Sequence, residues 1–284
     1  MSITNAIEVK NLTKSYKKGF MLDNISFTLP SGCIMGLIGE NGAGKSTAIK
    51  LMLNMIKRNS GTVKILGRDN REDFELTKED IGVVLDEVGI SECLNAKEVG
   101  NIMKHTFKNW DEKVYAENLQ KLSLSDNKKF KEFSKGMKMK LGIAVALSHN
   151  AKLLILDEAT AGLDPVIRDE IMDMLCEFTR EETHSVLISS HIVSDLEKVC
   201  DYIAFIHNGK MLICEEKDRL YETYGIVRCS AEQLNDIEPD AVIGKKISPY
   251  GAEAIVERSK IPSDWEIGAI DIEKLFVFMV KEGH

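Results

Sequence analysis

The stretch Cys33-Ile-Met-Gly-Leu-Ile38, running into Gly39-Glu-Asn-Gly-Ala-Gly44-Lys45-Ser46-Thr47, decides how this chain folds. The short apolar run reads as a buried strand. After the glycines, apolar residues at Ile49, Leu51, Met52, Leu53 and Ile56 read as a helix. Residues 39–46 therefore fit GxxxxGK[ST] between a strand and a helix, the context that this phosphate-binding pattern requires. Glycines at 39, 42 and 44 let the backbone curl so that its N–H groups, with those of Asn41 and Ala43, point inward, and the helix N-terminus adds positive potential. Lys45 supplies a charge for β- and γ-phosphates, Ser46 a hydroxyl for Mg²⁺, and Thr47 a donor for a neighbouring phosphate oxygen. A structural glycine turn with a chance lysine is the competing account, and the strand-loop-helix context argues against it. The pattern implies a nucleoside triphosphate site with Mg²⁺.

Outward from that loop, residues 62–66 are a strand candidate and buried-strand patterns occur at residues 81–85, 153–156 and 185–189, with strand-like residues 7–9 and 25–29 before it. The run at 153–156 ends in Asp157-Glu158, so a strand delivers two carboxylates at its carboxyl end, where α/β sheets place ligands. Asp157 is a candidate Mg²⁺ holder, and Glu158 a candidate base for water attacking a γ-phosphate. From residue 87 to 150 proline is absent, lysine and glutamate are frequent, and Val114, Leu119, Leu122 and Leu124 recur at helical spacing, which predicts a helical insertion. A helix is expected over about 164–182. Residues 202–206 and 210–214, joined by Asn208-Gly209, predict a hairpin. After about residue 224, three of the five prolines fall between short strand-like runs such as 241–243 and 254–256, and residues 272–281 are amphipathic. This reads as a small α/β appendage.

Composition narrows the class. The 284 residues include 44% hydrophobic and 29% charged residues, which excludes disordered and fibrous chains. The longest apolar runs are far shorter than the ~20 residues of a spanning helix. A net charge of −8 argues against a general nucleic-acid binder, though it leaves room for a local basic groove. The 6 cysteines are scattered, without a CxxC pair or a Cys/His cluster at zinc spacing. Residues 1–16 carry no apolar secretory core, and together these features predict a reduced, cytoplasmic setting.

Over about residues 5–220 the sequence resembles the ATP-binding subunit of an ABC transporter of the efflux, ABC-2 type. Besides the phosphate loop and Asp157-Glu158, the resemblance rests on four matches. Tyr16 stands where the family carries an aromatic residue that stacks on adenine, although a tyrosine here also suits a core position. Phe133-Ser134-Lys135-Gly136-Met137 occupies the place of the LSGGQ signature, whose helix end faces the ATP of a partner subunit. Ser134 also suits a helix cap and Gly136 a close backbone approach. Ala161-Gly162-Leu163-Asp164-Pro165 matches the D-loop, with Asp164 expected at a dimer seam, while Asp-Pro is equally a cap and first-turn pair. Ser189-Ser190-His191 matches the switch histidine that contacts the γ-phosphate. Two positions depart from the pattern: Lys135 replaces a glycine, and Asp86-Glu87 follows the strand at 81–85 where the family often has glutamine. A carboxylate at Asp86 can ligate Mg²⁺ or be an ordinary loop acid, and it adds negative charge near phosphates.

The resemblance implies an α/β fold with a P-loop NTPase (RecA-like) core, an antiparallel β subdomain, a helical insertion and the small C-terminal α/β appendage. It implies an ATPase domain over residues 1–223, a helical subdomain at about 88–150, and an accessory segment at 224–284. The expected activity is ATP hydrolysis that powers transport, export above all, through a transmembrane permease on a separate chain. Catalytic roles fall to Glu158, His191 and Lys45. Two ATPase subunits, identical or close paralogues, sandwich two ATP molecules, each site using one chain's phosphate loop and the other's Ser134 region. The chain then sits in the cytoplasm, peripheral on the inner face of the cell membrane. Two other classes are weighed against this: a soluble ABC-type ATPase acting on nucleic acid or ribosomes, and a regulatory module that binds nucleotide but barely hydrolyses it. One phosphate loop, no sustained heptads and an acidic balance weigh against the first; the altered Asp86 region motivates the second.

Overall fold

The computed structural model describes residues 5–17 and 19–282. The bounds 1 and 284 of the sequence-based divisions thus lie outside the described residues. Along the chain run β1 (Asn5–Ser15), β2 (Met21–Pro30), β3 (Ile34–Ile38), α1 (Lys45–Met52), β4 (Ser60–Ile65), β5 (Arg68–Asp69), α2 (Phe74–Thr77) and β6 (Ile81–Val84). Next come α3 (Ala96–Thr106), α4 (Glu112–Lys121), α5 (Lys135–Leu147), β7 (Leu153–Asp157), α6 (Pro165–Phe178), β8 (Ser185–Ser190) and α7 (Val193–Val199). The chain continues through β9 (Tyr202–His207), β10 (Lys210–Glu216), α8 (Lys217–Thr223), β11 (Tyr224–Cys229), β12 (Val242–Ser248), β13 (Gly251–Glu257), β14 (Ile267–Gly268) and α9 (Ile272–Glu282).

The central sheet has the order β10-β9-β3-β8-β7-β6, parallel except for β10, which pairs antiparallel with β9. Its inner strands β3, β7 and β8 bury both faces, which is why they read as continuous apolar runs rather than alternations. In β7, Leu154 and Leu156 enter one core with α5, α6 and α9, while Leu153 and Ile155 enter another with α1 and β1, β2 and β4. The same alternation divides Val186 and Ile188 from Leu187 in β8, and Ile203 and Phe205 from Ala204 and Ile206 in β9. Because β3, β6, β7 and β8 are parallel, the segments leaving their carboxyl ends all emerge at one edge of the sheet. The phosphate loop, Asp86, Glu158 and His191 are on those four segments.

A second sheet, β2-β1-β4-β5, is antiparallel, and a third, β12-β13-β11-β14, follows α8. Between β6 and β7 lie α3, α4 and α5. The α/β class with a phosphate-loop core, an antiparallel sheet and intervening helices is the observed architecture. Element ends differ from the sequence reading in places. α1 stops at Met52, short of Ile56, because Asn54 adopts a left-handed φ of 53° that ends the helix. α6 stops at Phe178; the next residue, Thr179, still pairs its N–H with the Leu175 carbonyl while its hydroxyl donates to the Leu175 and Cys176 carbonyls. β1 is longer than residues 7–9, reaching Ser15 through register shifts after Val9 and Leu12. Among the described residues, no helix is long and apolar enough to cross a membrane.

Candidate active site

The turn from β3 into α1 demands glycine at two points. A Cβ at Gly39 would stand 2.5 Å from the Ile206 carbonyl oxygen. Gly44 has a φ of +116° and a Cβ there would lie 2.9 Å from Leu22 Cδ1. The loop so folded bounds an open cleft of about 510 Å³, lined by Phe20, Glu40, Asn41, Gly42, Gly44, Lys45, Ser46, Thr47, Asp86 and Glu158. The start of α1 faces it, so its unpaired N–H groups favour an anion there. Lys45, buried at the helix start, donates through Nζ to the carbonyls of Gly39 at 2.7 Å and Glu40 at 3.2 Å.

Nζ of Lys45 also lies 2.9 Å from Oε1 of Glu158, and His191 Nδ1 lies 2.7 Å from Oε2 of the same carboxylate. A carboxylate oxygen can only accept, so Nδ1 carries the proton and donates. Burial pushes the Glu158 carboxyl up, but hydrogen bonding and charge from Lys45, and then from His191, outweigh it and hold it below the usual value of 4.5. Glu158 sits at a left-handed φ of 51°, which is costly for a residue with a Cβ. Its N–H is held there by Ser189, 3.0 Å from the hydroxyl and 3.2 Å from the carbonyl.

Asp157, just inside β7, is buried and accepts a 2.6 Å hydrogen bond from the Ser189 hydroxyl. The pairing of β7 with β8 sets Asp157 directly beside Ser189. Ser189 therefore orients both neighbouring acids, a role its place before Ser190-His191 does not disclose. Phe20 is the other residue that sequence reading passed over. It lines the cleft, whereas Tyr16 stands beside it with ring centroids 6.3 Å apart and is 42% exposed, which removes the core alternative for that tyrosine. The signal available was a second aromatic in the loop between β1 and β2.

The donors on offer for a metal are the Ser46 hydroxyl and the Asp157 carboxylate, an oxygen-only set suited to a hard cation that shares phosphate oxygens. Asp86 lines the same cleft, yet its Oδ1 is engaged by Lys135 Nζ at 3.4 Å. The two positions that depart from the family pattern thus meet. Lys135 passes Gly162 to get there, its Nζ 3.6 Å from where a Cβ on that glycine would be.

Ser134, Gly136 and Asp164 lie outside the cleft's lining. Ser134 caps α5, its hydroxyl accepting from Met137 N at 3.3 Å, and Asp164 caps α6, accepting from Val166 N and Ile167 N at 3.1 Å each with Pro165 in the first turn. A Cβ on Gly136 would stand 2.9 Å from Ile167 Cδ1, so the two capped helix starts pack closely. The structure thus brings Lys45, Asp157, Glu158 and His191 into one connected group, and sets Ser134, Gly136 and Asp164 together elsewhere.

A family model described as ABC transporter matches residues 22–161. The chain is 37% identical over 215 residues to the lantibiotic transport ATP-binding protein SrtF of Streptococcus pyogenes, covering 75% of this chain and 91% of that protein. It is 34% identical over 214 residues to the bacitracin transport ATP-binding protein BcrA of Enterococcus faecalis, covering 75% and 70%. Among solved structures, an ATP-binding subunit of an ABC transporter aligns with a TM-score of 0.69 at 27% identity, over 76% of this chain and 92% of that one. The ATP-binding cassette MJ0796, solved as a dimer in a post-hydrolysis state with ADP and Pi, aligns with a TM-score of 0.67 at 26% identity, over 74% and 98%.

Proposed function

The chain belongs to the ABC transporter ATP-binding family and is an ATPase, and from that premise we propose that its ATP hydrolysis drives export through a transmembrane permease carried on a separate polypeptide. The observation that carries this reading is the linked Lys45–Glu158–His191 group at the rim of a phosphate-shaped loop. Lys45 and the loop amides bind the β- and γ-phosphates. As Lys45 turns to the γ-phosphate it leaves Glu158 Oε1 free, and that oxygen takes the proton of an attacking water. His191 holds Oε2, fixes the carboxylate's orientation and contacts the γ-phosphate. Ser46 and Asp157 would hold Mg²⁺, which would neutralise phosphate charge when bound. Tyr16 and Phe20 offer aromatic faces for the base.

Ser134, Gly136 and Asp164 lie outside the lining of the chain's own cleft, which supports their use on ATP held by a second subunit. Two such chains, identical or paralogous, then close on two ATP molecules and open after hydrolysis. The relatives named for lantibiotic and bacitracin transport support a transport role, and the resemblance to efflux-type subunits supports export as the direction. The permease docks in the groove of about 480 Å³ lined by residues that include Asp86, Glu87, Val88, Ile90, Phe130 and Lys138, next to the nucleotide cleft. This places the chain at the inner face of the cell membrane, with residues 1–223 as the ATPase unit and 224–284 as an accessory segment.

The test is purification of the tagged chain from detergent-solubilised membranes. A polytopic membrane protein should accompany it, and Ile90→Asp, in the groove, should release that protein while sparing basal ATPase activity. Salt-sensitive recovery with ribosomes or nucleic acid, with stimulated ATPase activity and no membrane partner, would overturn the reading.

A further inference from the structure

α7 begins two residues after His191, so whatever fixes α7 fixes the start of that histidine's backbone. One side of α7 is tied to α6, where Arg168 Nη1 donates to both carboxylate oxygens of Asp195 at 3.2 and 3.0 Å. Its other side is tied to the C-terminal part of the chain through one residue. Glu197 Oε1 accepts from the Tyr221 hydroxyl of α8 at 2.8 Å and from the backbone N–H of Ile272, the first residue of α9, at 3.0 Å. Lys217 Nζ, also on α8, donates to the Glu197 carbonyl at 2.9 Å. A carboxylate at the start of α9 satisfies an orphan N–H and meets the positive end of the helix. Burial, and then the Glu197 carboxylate, push the Tyr221 hydroxyl far above its ordinary value, which keeps it a donor.

Packing runs along the same line. Ile272, Leu275 and Phe276 of α9 share a core with Val193 and Leu196 of α7, and the Phe276 ring meets Phe205 of β9 edge-on at 5.1 Å. We propose that Glu197 is a positioning residue for ATP hydrolysis: it couples α8 and α9 to α7 and so holds His191 in register with Glu158. α8 and α9 together are then a brace on the loop that carries His191, so the segment after residue 223 contributes through α9 rather than being a passive appendage. This rests on the reading of His191 given above.

The experiment measures kcat and KM for ATP on the purified full chain, with thermal midpoints alongside. Glu197→Ala should lower kcat by about tenfold with KM little changed, because a displaced histidine affects the reacting geometry more than phosphate binding. Glu197→Gln keeps a side-chain oxygen that accepts from both donors, and its kcat should stay within about twofold of wild type. Tyr221→Phe removes one hydrogen bond without removing the ring, so it decides the matter if Glu197→Ala does not fold; its kcat should fall by about two- to threefold. His191→Ala is the reference. If it leaves turnover intact, the reading of His191 fails. If it abolishes turnover while Glu197→Ala and Tyr221→Phe both keep wild-type kcat, the brace is overturned. Equal kcat losses in Glu197→Ala and Glu197→Gln would overturn it as well.

Discussion

Glu158→Gln removes one charge from the centre of the site while keeping the shape of the side chain. That charge sits 2.9 Å from Lys45 Nζ, with the two side chains only 12% and 5% exposed. At an effective dielectric of about 20, unit charges at that distance attract by roughly 6 kcal/mol, a gross figure that desolvation and competing bonds reduce severalfold. A γ-phosphate must draw Lys45 away from this partner. With glutamine in place the competitor is gone and the cleft is more positive by one charge. If about 1.4 kcal/mol of the attraction is released to binding, ATP affinity rises by roughly tenfold. Turnover moves the other way. Loss of a positioned general base lowers it by about 10²- to 10⁴-fold. Affinity is read by equilibrium titration at protein concentrations below those at which chains associate, turnover by phosphate release, and the closed dimer by light scattering with Mg·ATP. Unchanged phosphate release removes Glu158 from the mechanism, and weaker ATP binding by the variant refutes the competition for Lys45.

Two further outcomes follow from charges at the same edge of the sheet. Lys135→Ala leaves Asp86 uncompensated on the cleft wall; a half-exposed pair of this kind is worth about 0.2–1 kcal/mol, so ATP affinity should fall by roughly 1.4- to fivefold at low salt. Asp86→Asn in the same chain should restore it, and a double variant as weak as Lys135→Ala alone would show that the pair is not what matters. The second outcome is a pH dependence with a fixed sign. Because the Glu158 carboxyl is held below 4.5 in the fold, its contribution to stability is fully present above that value and is lost as pH falls through the lower folded one. The urea-midpoint advantage of wild type over Glu158→Gln should therefore hold from neutral pH down to about 4.5 and shrink below it; a difference that stays constant below 4.5 would contradict it.

What could be read from sequence followed from how each element is buried. Strands covered on both faces announce themselves as apolar runs, and β3, β7 and β8 were legible for that reason. The phosphate loop was legible because its glycines answer to local demands: a Cβ has no room at Gly39, and Gly44 needs a positive φ. β1 was legible only over its most buried part. Beyond Val9 its exposed Lys10 and Asn11 break the alternation, and the register shifts that carry it to Ser15 depend on β2 and β4.

Contacts between segments far apart in sequence were not legible, because no local rule specifies them. Ser189 orients Asp157 only once β7 and β8 pair in parallel. The case of Asp86 and Lys135 is sharper, since each departs from a family pattern, and read alone the acid is unfavourable while the cation is tolerable beside phosphate. An acid beside a phosphate site repels its ligand, and a lysine in place of a signature glycine adds a charge that needs a partner. The fold sets them 3.4 Å apart, with the lysine stem crossing a glycine that has no side chain to obstruct it. Each then removes part of the other's cost: the acid gives the lysine a partner, and the lysine withdraws negative charge from the cleft. The acid is tolerable beside the cation and costly without it, so a chain that keeps the acid at 86 and loses the cation at 135 should hold ATP less well than one that has changed both.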